Sequence, residues 1–134
     1  MDRDRLIERA EQGDADAQFT LGSQHLFGRF TTEDRVEAAR WFRAGAEQGD
    51  ARAQFKLGLM HYHGLGVAQD YVEALRWYRA AAEQGDADAE FNLGNMYFYG
   101  RGVPRDPAEA ARWYWAAAEQ GHDVARATLS ELCD

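Results

Sequence analysis

The chain has 134 residues, enough for one domain that buries its core without disulfides or metals. Its 15 Lys+Arg against 23 Asp+Glu leave a formal net charge of −8, which argues against nucleic acid or an anionic membrane surface as partner. The single cysteine, Cys133, excludes an intramolecular disulfide and the cysteine-based zinc patterns.

The N-terminus, MDRDRLIERA, carries charges where a signal peptide needs an apolar run of about 7–15 residues, and no stretch approaches the ~20 apolar residues of a membrane span. The expectation is a soluble, cytoplasmic protein. EQGD then stands at residues 11–14, 47–50 and 83–86, with a near-copy, EQGH, opening at Glu119. Laid over one another without a gap, residues 11–46 and 47–82 agree at 21 of 36 positions, and residues 47–82 and 83–118 at 22 of 36. That identity makes each block one structural unit, and the period identifies a repeat architecture.

Within block one, residues 14–27 read as a helix with Ala17, Leu21 and His25 on one stripe. Ala53, Leu57 and His61 recur in block two, and Ala89, Leu93 and Tyr97 in block three. Gly28, Gly64 and Gly100 close these first helices. Second helices follow from Asp34, Asp70 and Asp106, each Asp an N-cap with Glu three residues on, a capping-box pattern, and Pro107 at a first helical position. Their inner faces carry Ala38, Trp41 and Phe42, then Ala74, Trp77 and Tyr78, then Ala110, Trp113 and Tyr114. Gly13, Gly49, Gly85 and Gly121 end them. Gly22, Gly58 and Gly94 sit inside the first helices at a cost of ~1 kcal/mol each relative to alanine, which predicts close approach of a ring, with Trp41, Trp77 and Trp113 as the expected rings. Residues 1–10 align with a second helix, with Arg5 in the Trp column; residues 119–132 align with a first helix, with Ala127 and Ser130 in the Phe and Gly columns. The predicted domain is therefore an N-terminal capping helix (1–10), repeat 1 (11–46), repeat 2 (47–82), repeat 3 (83–118) and a C-terminal capping helix (119–134). Eight helices stack as an all-α solenoid.

The motif A-x-x-x-L-G-x-x-[HY]-x-x-G-x-G-V-x-x-D-x-x-x-A-x-x-W-[YF]-x-x-A-A-x-x-G, read from blocks two and three, resembles that of the Sel-one-like repeat (SLR) family, relatives of the tetratricopeptide (TPR) repeats. The resemblance covers nearly the whole chain. It implies a right-handed α-α superhelix and an adaptor role toward proteins or peptides. Some bacterial members resemble scaffolds in signalling, secretion or host interaction, and others immunity proteins that neutralise a toxin. Cysteine-rich relatives associated with penicillin binding carry paired cysteines in each repeat, which this chain lacks. Block one departs from the motif: GRFT replaces GLGV and GRGV, so Phe30 takes the second glycine's place, either tucked inward or exposed as a contact.

Positions that vary between blocks while facing one way are candidates for partner binding. They are Asp16/Arg52/Asp88, Thr20/Lys56/Asn92, Ser23/Leu59/Asn95 and Phe27/His63/Tyr99, spaced i, i+4, i+7 and i+11. The expected partner site is Arg52, Lys56, Leu59, His63, Asp88, Asn92, Asn95 and Tyr99 on the concave face; the alternative is an ordinary solvated helix face. Trp115 stands in a column otherwise held by Arg43 and Arg79, charges read as outward. It either packs under the C-terminal helix or contacts a partner or a second copy of the chain. His61 and His63 point to different faces, so no metal set emerges; His25 and His61 fill the aromatic position of Tyr97. Repetition of the acidic residues argues against a unique catalytic pair. The reading is a non-enzymatic scaffold without cofactor, binding protein or peptide. A toxin-neutralising immunity protein and a small hydrolase are the alternatives, the latter needing a cavity that breaks the repeat symmetry.

Overall fold

The computed structural model describes residues 2–28 and 32–133. Phe30 lies outside the described residues, as does the side chain of Phe27. Eight helices follow in order among the described residues: α1 (Arg3–Glu11), α2 (Ala15–Gly28), α3 (Thr32–Glu47), α4 (Ala51–His63), α5 (Tyr71–Glu83), α6 (Ala87–Tyr99), α7 (Pro107–Glu119) and α8 (Asp123–Cys133). Each packs chiefly on its neighbours in sequence, most closely in the hairpins α2/α3, α4/α5 and α6/α7. The core is accordingly a string of clusters, one per joint, lined by the predicted stripes. Leu21, Leu57, Leu93, Met60, Met96, Phe42, Tyr78 and Tyr114 are its fully buried large side chains.

The helix starts follow the predicted Asp caps with two differences. Asp50 Oδ1 accepts from the backbone N–H of Arg52 and Ala53, and Asp86, Asp70 and Asp106 cap α6, α5 and α7. The reciprocal half of the capping box is not made, because the cap N–H groups of Asp70 and Asp106 are taken by the carbonyls of His61 and Tyr97, each 2.8 Å away. Glu73 and Glu109 turn instead to Arg76 and Arg112, i, i+3 pairs of 3.5 Å at the surface. Asp34 is not a cap: α3 begins at Thr32, so Asp34 lies in its first turn, where the positive end of the helix dipole favours a carboxylate.

The rings over the helix glycines are not the tryptophans. A Cβ on Gly58 would lie 2.8 Å from the Tyr78 ring and 3.3 Å from the Ala74 carbonyl; Gly22 meets Phe42 and Gly94 meets Tyr114 in the same way. Trp41 clusters instead with Ala10, Ala17 and Leu21, and Trp77 with Ala46, Ala53 and Leu57, so each tryptophan seals the joint to the helix that precedes its hairpin. Gly66 (φ +70°) and Gly102 (φ +72°) need glycine twice over. A Cβ there would come within 2.4 Å of the Arg35 carbonyl carbon and 2.6 Å of the Tyr71 carbonyl oxygen, at the start of the preceding hairpin's second helix.

Arg43 and Arg79 are not outward. Arg43 Nη2 donates to His61 Nε2 at 3.1 Å and Arg79 donates to the Tyr97 hydroxyl, each reaching the first helix of the next repeat. Because a guanidinium only donates, His61 accepts at Nε2 and its Nδ1–H faces the Ala68 carbonyl, 3.3 Å away. A second link uses the joint glutamines. Gln48 Nε2 donates to Gln18 Oε1 (2.7 Å), Gln84 to Gln54 (2.9 Å) and Gln120 to Glu90 (2.5 Å), while Gln18 and Gln54 donate to the carbonyls of Ala10 and Ala46. At the last joint His122, not Asp123, caps α8: its Nδ1 accepts from the Ala125 N–H at 3.1 Å and its Nε2–H faces Asp88 Oδ1 at 3.0 Å. Imidazole has the one ring acceptor that an N-cap requires.

Candidate partner-binding groove

Among the described residues, hollows lie between the first helices of successive repeats at two places. One, of about 280 Å³, lies between α4 and α6 over α5 and is lined by Leu59, Tyr62, His63, Tyr78, Asn92 and Asn95. The other, of about 350 Å³, lies between α6 and α8 over α7, and its lining includes Asn95, Phe98, Tyr99, Tyr114, Thr128 and Glu131. Adding 36 to each residue of the first set yields the second. The hollows are therefore one feature at two positions, each formed where two adjacent first helices diverge over the aromatic residue of the second helix between them. They share Asn95, and Tyr62 reaches into both, so they form one groove.

Leu59, His63, Asn92, Asn95 and Tyr99 of the predicted stripe come together in this groove. Arg52, Lys56 and Asp88 do not line it. Arg52 Nη2 lies 2.6 Å from Asp16 and 2.7 Å from Asp50, with its guanidinium 4.5 Å over the Phe19 ring, so it ties repeat 1 to repeat 2. Those hydrogen bonds raise its pKa, and Arg52 in turn holds Asp50 below the usual carboxylate value. Lys56 Nζ stands 5.9 Å from the Phe55 ring, and Asp88 faces His122. Asn95 Oδ1 accepts from the Tyr114 hydroxyl at 2.5 Å, which fixes its amide in the groove. Burial pushes the Tyr114 hydroxyl up to about 12 and Tyr78 higher still, the latter opposed by a hydrogen bond with Asn92. Both phenols are un-ionised at neutral pH and serve as hydrogen-bonding floor.

Variation between repeats did not point to Tyr62, Tyr78, Phe98 and Tyr114, because their columns (Leu26/Tyr62/Phe98 and Phe42/Tyr78/Tyr114) hold only large apolar or aromatic residues and look like core. Arg101 was missed as well, a loop residue whose signal was present: GRGV differs from GLGV only there. Trp115 is 60% exposed; it lies beside α8 rather than beneath it, at the rim of a hollow of about 400 Å³ lined also by Ala118, Arg126, Leu129 and Ser130. Among the described residues no three His, Cys, Asp or Glu side chains are grouped to hold a metal ion, and no helix is long and apolar enough to cross a membrane.

The Sel1 repeat matches the chain three times, at residues 15–50, 51–86 and 87–122. Among solved structures, the chain is similar to c5321, a protective antigen of uropathogenic Escherichia coli strains displaying an SLR fold, with 45% identity over 93% of this chain and a TM-score of 0.87. It spans only 27% of that protein's length. A Sel1 repeat protein from Oxalobacter formigenes is 34% identical over 90% of this chain and 92% of its own, with a TM-score of 0.83. Cysteine rich protein B (hcpB) of Helicobacter pylori, at 19% identity over 94% of this chain and 90% of its own, shares the fold with a TM-score of 0.72. No curated protein matches the chain. Three matched repeats, the all-α superhelix and these likenesses together place the chain in the Sel1 repeat family.

Proposed function

We propose that this chain is a non-enzymatic scaffold that holds a partner protein or peptide in the groove of its first helices. Proteins built from Sel1 repeats are generally protein-interaction scaffolds. The observation that carries the reading is the pair of register-equivalent hollows, which gather five of the eight predicted partner-site residues over a fixed aromatic floor. A constant floor with changing walls suits recognition: the floor keeps the shape, and the walls set what fits. A small hydrolase gains no support from the groove hollows, whose linings follow the repeat in register. A toxin-neutralising role gains no support from any feature of the groove.

The test is affinity capture from the native cell by the wild-type chain and by a His63→Ala/Asn92→Ala/Tyr99→Ala variant checked for an unchanged circular dichroism spectrum. Partners captured by the wild type should be lost from the folded variant. An identical set of captured proteins would sink the groove as the binding site.

A further inference from the structure

The two hollows are equivalent in register and unlike in charge. Arg101, whose column holds Leu65 one repeat earlier, is half-buried in the wall of the second hollow. Its Nη1 donates to the Tyr62 hydroxyl, and its guanidinium lies 5.8 Å from the Tyr62 ring centroid and 5.0 Å from that of Tyr99. Two rings and a hydrogen bond thus fix its direction. Among the described residues no carboxylate lies within 4.0 Å of it, whereas Arg9, Arg40, Arg52, Arg76 and Arg112 each have one. In a chain of net charge −8, an oriented guanidinium that lines the groove without an ion-pair partner among the described residues marks the place where an outside anion is received. Asn95 adds to it: its Oδ1 is engaged by the Tyr114 hydroxyl, leaving its Nδ2 hydrogens as donors to a ligand. Glu131, on the far wall, restrains the affinity for any anion.

We infer that the hollow between α6 and α8 receives a carboxylate of the partner, paired with Arg101 and hydrogen-bonded by Asn95, while the neighbouring hollow of Leu59, Tyr62 and Tyr78 takes an adjacent apolar side chain. This rests on the groove being the partner site. The occupant is a peptide segment in which an acidic group follows or precedes an apolar residue.

The probe is N-acetyl-Leu-Glu-Leu-amide, titrated into the ¹⁵N-labelled full chain with side-chain amide and guanidinium resonances followed. The Gln and Lys counterparts, the Gln peptide with a free C-terminal carboxylate, and inorganic phosphate serve as comparison ligands. The Glu peptide should shift the Asn95 and Arg101 side-chain signals saturably. Arg101→Leu places there the residue that repeat 2 already tolerates at Leu65, and should weaken binding about ten-fold or more; Glu131→Gln should tighten it. Binding of the Glu amide assigns the carboxylate to a side chain, and preference for the free-acid Gln peptide assigns it to a chain terminus. Equal affinity for both amidated Glu and Gln peptides and for the free acid, tighter binding of the Lys peptide or of phosphate, or no saturable shift overturns the inference. Where Arg101→Leu leaves Glu-peptide binding unchanged and the His63/Asn92/Tyr99 triple variant abolishes it, the groove stands and the assignment to Arg101 falls. Where neither variant alters binding, both fall.

Discussion

Replacing Glu90 by glutamine should stabilise the protein at neutral pH, and the repeat itself supplies the comparison. The joint ladder places Gln18, Gln54 and Glu90 in one buried column, 5%, 6% and 6% exposed. Gln18 and Gln54 each accept from the next joint's glutamine and donate to a carbonyl eight residues back, Ala10 at 3.0 Å and Ala46 at 3.2 Å. Ionised Glu90 accepts from Gln120 but has no hydrogen to offer the equivalent Ala82 carbonyl. Burial raises its pKa above the ordinary 4.5, with Asp86 adding to the rise and Gln120 opposing it. The sign follows from linkage. The folded state binds this proton more tightly than the unfolded state, so the group carries no penalty below its unfolded pKa and a growing one as pH rises through the folded pKa. Glutamine removes that penalty and restores a donor worth about 0.5–1.5 kcal/mol, while giving up the charge assistance in the Gln120 bond. Since burial outweighs Gln120 in setting the pKa, the net gain is about 1 kcal/mol at pH 7, or roughly 3–5 °C in Tm for a domain of this size. Urea denaturation of Glu90→Gln and wild type at pH 7 and pH 4 reads both the gain and its decline on acidification. A variant no more stable than wild type at pH 7, or a difference that does not shrink at pH 4, refutes the reasoning.

Gly58→Ala gains ~1 kcal/mol of helix propensity but forces a Cβ to 2.8 Å from the Tyr78 ring; overpacking of about 1–3 kcal/mol should win, seen as a lowered urea midpoint. Asp50→Ala removes the α4 cap and should cost ~1 kcal/mol. Because the folded Asp50 pKa is depressed by Arg52, the cost should be full above the ordinary Asp pKa and fade as pH falls through the depressed one, which denaturation at pH 7 and pH 3 would show. Iodide should quench most of the fluorescence that Trp115→Phe removes, since this ring is 60% exposed while Trp41 and Trp77 are 7% and 5% exposed; protected emission would mean that the ring is covered, by α8 or by a second copy.

The sequence displayed the hairpins, their caps and their inner faces because each rests on local rules repeated three times. It did not reveal which neighbour each inner residue meets. Trp41 and Phe42 are adjacent and both face inward, yet Phe42 closes on Gly22 in its own hairpin while Trp41 seals the joint to α1; helical periodicity gives a face about 100° wide and cannot separate them. Arg43 and Arg79 looked solvated because their partners, His61 and Tyr97, lie 18 residues on, in the next repeat. The groove was half legible: its walls vary between repeats while its floor stays aromatic, so variation pointed to Asn92 and Asn95 and not to Tyr78 and Tyr114.

Since each hollow arises from two successive first helices and the ring beneath them, inserting one more 36-residue unit would lengthen the groove by one compartment and leave the existing ones intact. Length and selectivity are then separable variables. A duplication sets how many compartments a partner spans, and point changes at the Leu59 and Asn92 columns set what each one accepts. The natural comparison across longer arrays is thus the order of compartment types along the groove, written as a string with one symbol per joint.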